Sequence, residues 1–168
     1  MVSLSFNQLA ANYQPVGDPY GTHLNLLRAL GSGIRTVLEL GAGQFSTPLL
    51  LDRSAYPDLT ELVTIESDPA WAATCRTSDI RHALAVLPEP IEPYLAKLDL
   101  DSFDLILCDN SSSAAMRRET LKWLSVHIGR SLVVAHDYDA YADACTGFDR
   151  AFIDDRQTPH TALLWRAK

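Results

Sequence analysis

Four short apolar runs constrain this chain more than any other feature: TVLEL at 36–40, LVTIE at 62–66, DLILCD at 104–109 and SLVVAHD at 131–137. Each is continuous rather than alternating, the pattern of a strand covered on both faces, and such strands belong to parallel sheets. Parallel neighbours need long crossovers, and the intervals between the runs supply them with helical segments at 47–54, 69–76, 91–98, 113–126 and 138–145. A weaker run, IRHALAV at 80–86, reads as one more strand ahead of the proline-rich LPEPIEP. The end of the chain changes style. FDRAFIDDRQ and TALLWRA are two β-like segments separated only around Thr158, Pro159 and His160, which predicts an antiparallel hairpin closing the sheet.

With 168 residues and no repeat or internal linker, the whole chain 1–168 reads as a single domain, its first 20 or so residues forming a helical or cap segment. In THLNLLRALGSG, Leu24, Leu27 and Leu30 share a helical face that Gly31 and Gly33 terminate. A net charge of −7 without a long basic block argues against nucleic acid or an anionic membrane as partner and favours a small molecule. The three cysteines are scattered without a CxxC pair, the usage of free thiols in a reducing compartment. No basic start leads into a long apolar block, so the expected location is the cytoplasm.

Between the first strand and the next helix lies Gly41-Ala42-Gly43, where missing side chains let the backbone bend and approach a ligand. Thr47 reads as the N-cap and Pro48 as the first residue of the following helix, whose free amides attract negative charge. Glu39, just before the turn, can face a cationic amine. Glu66 ends the second strand, 23 residues after Gly43, where a carboxylate can accept both hydroxyls of a ribose. Asp68-Pro69 reads as the cap and first residue of another helix.

A nicotinamide fingerprint wants G-x-G-x-x-G, yet Ser46 stands where the third glycine belongs. E-L-G-A-G instead resembles the first motif of class I S-adenosylmethionine-dependent methyltransferases. The resemblance runs from about residue 20 to 165: VTIESD is similar to the ribose-binding segment, FDLILCDN to the fourth-strand motif, and the final hairpin to strands six and seven. It implies an α/β, Rossmann-like, seven-stranded, mostly parallel sheet with helices on both faces and a C-terminal antiparallel β-hairpin. It implies S-adenosylmethionine as cofactor, with Glu39, Gly41 and Gly43 around the methionine part, Glu66 on the ribose, and Asp109 near the methyl group. The sequence departs from the family at Phe45, where a third glycine is common. It departs again after the third strand, where HALAV carries no acid for the adenine amine and leaves a backbone contact near Ala83 or Leu84 to serve.

Methyl transfer from a sulfonium needs alignment of the nucleophile and removal of any acidic proton. The candidates are Asp109 and Asn110 after the fourth strand, and His136, Asp137 and Asp139 after the fifth. His136, whose ordinary pKa is about 6.5, is the candidate base toward a hydroxyl acceptor, oriented by Asp137 or Asp109. The alternative makes it a loop brace satisfied by its neighbour, and Asp109 can likewise be a helix cap. Asp109, Asn110 and Asp137 also offer hard oxygen ligands. Catechol-type O-methyltransferases are similar in placing such ligands here, but they carry Asp-Asn after the fifth strand and a lysine after the fourth, which this chain lacks. No metal is therefore expected. Trp71 and Trp123 read as core, Arg117, Arg118 and Lys122 as a solvated face beside Glu119, and His23, ahead of a helix on the ligand side, as a cap or surface residue, with substrate contact as the alternative. Little chain remains to build an acceptor pocket, which leaves it shallow and open, covered by the segment bearing Phe6, Tyr13 and Tyr20, or completed by another subunit in a homodimer. The expected function is methyl transfer to a small molecule, most simply to oxygen. An aminopropyltransferase and a non-catalytic S-adenosylmethionine-binding protein are the alternatives.

Overall fold

A computed structural model of the chain describes residues 13, 16–111 and 113–167. Phe6, and most of the helical or cap segment expected over about 1–20, lie outside the described residues. Strands β1 (Thr36–Leu40), β2 (Glu61–Glu66), β3 (His82–Val86), β4 (Leu105–Cys108), β5 (Leu132–Ala135), β6 (Arg150–Asp154) and β7 (Thr161–Trp165) form one seven-stranded sheet in the order β3-β2-β1-β4-β5-β7-β6. The first five pair in parallel. β7 runs antiparallel between β5 and β6, the hairpin expected from the sequence.

The continuous apolar runs have a direct explanation in two cores, one on each face. Val37, Leu105, Leu107, Val134 and Leu163 pack with Leu26, Leu27 and Leu30 of the helix Leu24–Leu30 and Leu50 of the helix Ser46–Leu51. Leu38, Leu40, Ile106, Cys108, Val133 and Ala135 pack the other way, against Leu95 of the helix Glu92–Leu95 and Leu121 and Leu124 of the helix Ala114–His127. Alternate residues of each strand thus face opposite cores, and both must be apolar. Four helices are shorter than expected, those at 47–54 and 69–76 by two residues each. The segment expected at 91–98 is helical only over Glu92–Leu95, and that at 138–145 is an α-turn, Tyr138–Tyr141, continuing as a 3₁₀ turn, Ala142–Cys145.

The strand order reverses direction between β1 and β4, so their carboxyl ends flank the crevice where open α/β sheets bind ligands. Gly41 makes the closeness of these ends possible. Its φ is +89°, and a Cβ there would collide with the backbone carbonyl of Asp109.

Candidate functional site

A cleft of about 590 Å³ opens at this crevice, a volume suited to a nucleoside-sized ligand and a small partner. Its walls include Gly43, Phe45, Glu66 and Trp71 on the β1–β2 side and His23, Asp109 and Arg117 on the β4–β5 side, with Tyr20 also among its lining residues.

The β1–β2 side is a turn pinned by carboxylates. Glu66 Oε2 accepts from the Ala42 amide at 2.9 Å, while its Oε1 accepts from the amides of Ser67 and Asp68 at 2.6 and 2.8 Å. Trp71 Nε1 donates to the Ala42 carbonyl at 2.6 Å, so both polar groups of that peptide are held. Asp68 caps the helix Pro69–Thr74 through the amides of Ala70 and Trp71, which sets Trp71 over the cleft. Glu39 is fully buried beneath the turn. Its carboxylate accepts from Ser46 Oγ at 2.6 Å, from Thr47 Oγ1 at 2.8 Å and from Thr64 Oγ1 at 2.7 Å. Burial, only partly offset by those hydroxyls, pushes its pKa up from 4.5 to about 7.

The β4–β5 side is built from charges. Arg117, from the helix Ala114–His127, pairs with Asp109 at 3.0 Å and Asp137 at 2.6 Å. Its Nε donates to the Asn110 carbonyl at 2.8 Å and its Nη2 to the Ser111 carbonyl at 3.0 Å. Asp137 sits at φ +56°, a left-handed turn that an aspartate tolerates. His136 Nδ1 lies 3.3 Å from Asp109 Oδ1 and 3.6 Å from Asp137 Oδ1, and its Nε2 meets Thr22 Oγ1 at 3.1 Å. His23 packs edge-on against the His136 ring at 4.7 Å. Burial, and then the neighbouring His136, lower the His23 pKa to about 3, so its ring is neutral at physiological pH. For His136 burial acts downward too, but the hydrogen bond and charge of Asp109 outweigh it and raise its pKa.

These positions sort the residues singled out in the sequence. Gly43, Glu66 and Asp109 meet at the cleft, and Gly41 sets its base. Glu39 does not face a ligand, because three hydroxyls enclose it under the turn. Thr47 is no N-cap: the helix begins at Ser46, and the Thr47 hydroxyl bonds Glu39 instead. Asp109 is not a cap either, since Ser113 takes that place by accepting from the Met116 amide. His136 and Asp137 are not among the cleft's lining residues, and the His136 ring is 2 % exposed, behind His23 and Asp109. That enclosure fits the brace alternative better than a base in contact with acceptor. Asn110 is turned inward, its side chain bonded to Thr120 and Cys108, and cannot join Asp109 in an oxygen-ligand set.

Two residues read as core or solvated, and His23, read as a cap or surface residue with substrate contact as the alternative, belong to the site. Arg117 is buried between two carboxylates rather than on a solvated face. Trp71, 38 % exposed, is a cleft wall rather than core. His23 is buried at the cleft floor and forms no cap hydrogen bond. The helical spacing of Arg117 to Thr120, Leu121 and Leu124, all buried, was a sequence signal for its inward face.

No protein-family model matches the sequence, and no curated protein does. Solved structures match its fold. A crystal structure of MtNAS in complex with MTA and tNA is 16 % identical with a TM-score of 0.59, covering 89 % of this chain and 61 % of that one. The chain therefore spans less than two thirds of that neighbour. Cofactor-bound Rv0187 from MTB is 21 % identical with a TM-score of 0.59, covering 95 % of this chain and 86 % of that one. MycE methyltransferase from the mycinamycin pathway, in complex with Mg, S-adenosylhomocysteine (SAH) and mycinamycin VI, is 13 % identical with a TM-score of 0.60, covering 95 % and 54 %. The Rossmann-like fold of methyltransferases is thus the fold of this chain. Among the described residues, no helix is long and apolar enough to cross a membrane.

Proposed function

We propose that the chain transfers the methyl group of S-adenosylmethionine to a small-molecule acceptor, at oxygen. The observation that carries this reading is the division of one cleft at the sheet's switch point. A glycine turn with Glu66 and Trp71 stands on one side, and Asp109, Arg117 and His23 stand on the other. Two similar structures, cofactor-bound Rv0187 and the SAH-bound MycE, support the cofactor assignment, and the mycinamycin bound to MycE supports a small acceptor.

The residues fit the group. Gly41, which lets the turn close against the Asp109 backbone, and Gly43, which lets it close over Ser46, shape the turn beside which the methionine part would lie, and Glu66 retains acceptor capacity toward ribose hydroxyls beyond its amide bonds. The exposed part of the Trp71 ring offers adenine an apolar wall. The bound cofactor supplies an electrophilic methyl group on a sulfonium that leaves as a neutral thioether. The chain must then hold the acceptor in line, exclude water and take the hydroxyl proton. Asp109 lines the acceptor side of the cleft and is the group placed to orient the hydroxyl and take its proton, while Arg117 and His136 fix Asp109 in place. Glu39 acts indirectly, by anchoring Ser46 and Thr47 so that the turn keeps its shape.

Aminopropyl transfer to a polyamine would need unpaired carboxylates on the acceptor side of the cleft, and here Asp109 and Asp137 both pair with Arg117. Incubation with methyl-labelled S-adenosylmethionine and panels of hydroxyl and amine acceptors, read by SAH release and by label in product, tests the reading. Label in hydroxyl compounds is expected. Label only in amines would move the acceptor atom to nitrogen, and SAH binding without any turnover would leave a cofactor-binding protein.

A further inference from the structure

We propose that His23, Asp109 and His136 bind one divalent transition-metal ion, of the zinc, cobalt(II) or iron(II) type, at the acceptor end of the cleft. The three come from distant parts of the chain: the residue before the helix Leu24–Leu30, the end of β4 and the end of β5. Each presents one donor atom, and the three donors lie within 4.8 Å of one another. Metal–ligand distances of about 2.0–2.2 Å bring such donors around a single ion with small side-chain rotations.

What points to a ligand is the state of the two imidazoles. Neither ring nitrogen of His23 has a hydrogen-bond partner among the described residues, although the residue is 2 % exposed. His136 Nδ1 is also buried, and it faces the Asp109 and Asp137 carboxylates at 3.3 and 3.6 Å rather than forming a hydrogen bond of good geometry. The unpartnered buried nitrogens of His23 carry a desolvation penalty with no compensation, and a metal ion shared with the neighbouring His136 and Asp109 removes it. The surrounding contacts are those that orient ligands. Thr22 Oγ1 engages His136 Nε2, which leaves Nδ1 as the donor turned toward Asp109. Arg117 steadies the Asp109 carboxylate, and its own charge is shared with Asp137, which limits its repulsion of a cation.

Two imidazoles with one carboxylate select borderline metals over Mg²⁺, whose oxygen donors are absent here because Asn110 and Asp137 are engaged elsewhere. The expectation of no metal was drawn from oxygen donors and did not weigh His23. Three protein ligands leave an open position, and His23 and Asp109 both line the cleft, so that position faces it. The use of this position to hold an acceptor oxygen rests on the methyl-transfer reading. Binding of the ion does not.

The full chain, stripped with a chelator, is titrated with Co²⁺ and with Zn²⁺ by calorimetry and by the visible absorption of bound Co²⁺, with SAH binding measured on the same samples. One ion per chain is expected. Affinity should fall beyond detection in His23→Ala and His136→Ala, fall about 10–100-fold in Thr22→Val, and stay unchanged in His127→Ala, a distant exposed histidine. Thermal unfolding of each variant reports folding, and His23→Gln replaces His23→Ala should the latter fail to fold. Absence of Co²⁺ binding in the wild type, binding that survives loss of His23, or a preference for Mg²⁺ overturns the site. The SAH titration separates that failure from failure of the methyl-transfer reading.

Discussion

The two sides of the cleft hold their acids in opposite ways. On the β1–β2 side, Glu39 and Glu66 are satisfied by hydroxyls and backbone amides, with no cation in reach of either among the described hydrogen bonds and ion pairs. On the β4–β5 side, Asp109 and Asp137 are held by Arg117 and His136. Neutral donors shape a turn without fixing its charge, which suits a side that receives a ligand of given form. Ion pairs instead set the protonation states of the groups around them, which suits the side where, on the proposed methyl-transfer reading, the acceptor gives up its proton. The difference is open to direct attack.

The largest expected effect comes from removing the shared cation. Arg117→Met should leave two carboxylates facing each other without compensation, destabilising the protein by about 3–5 kcal/mol. The denaturant midpoint measures it, and a loss under about 1 kcal/mol would mean that the pairs are solvent-screened surface contacts. Next is Glu39, on the side without cations. Its pKa in the folded protein is about 7 against an ordinary 4.5, so the folded state takes up the proton first as pH falls. Between these values the unfolded state binds fewer protons than the folded one, and stability therefore declines as pH rises through that window, by on the order of 3 kcal/mol. Glu39→Gln should flatten that part of the stability–pH curve, measured by urea unfolding on either side of the window. An unchanged slope would mean that Glu39 titrates normally.

Smaller effects sharpen the picture of the turn. Glu66→Ala should weaken S-adenosylmethionine binding by about 1.5–3 kcal/mol, roughly tenfold or more, by loss of charged hydrogen bonds. Equal affinity would take Glu66 out of the ribose site. Trp71→Phe keeps an aromatic wall but removes the bond to the Ala42 carbonyl, so a stability loss of about 0.5–1.5 kcal/mol is expected.

The same contrast explains what the sequence could tell. The strands, though not their order in the sheet, were legible because two-faced burial writes continuous apolar runs, and the glycine turn and Glu66 were legible because strand, turn and acid follow one another along the chain. Their internal partners were less so: nothing local says that Thr47 turns to Glu39, since its hydroxyl could equally cap a helix. On the other side the contacts are made by folding itself. His136 meets Thr22 across 114 residues, and Arg117 meets Asp137 across 20. Among Arg117, Arg118 and Lys122, only the first faces inward, and charge composition alone does not distinguish it. His23 reads as a polar residue ahead of a helix until the ends of β4 and β5 are brought beside it.

The central claim is that the glycine turn and Glu66 form a site for S-adenosylmethionine. Calorimetric titration of the wild-type chain with S-adenosylmethionine, SAH and NAD tests it most directly. Saturable binding of the first two, competing for one site, with no heat from NAD, is the expected result. Binding of NAD alone, or of none of the three, would contradict it.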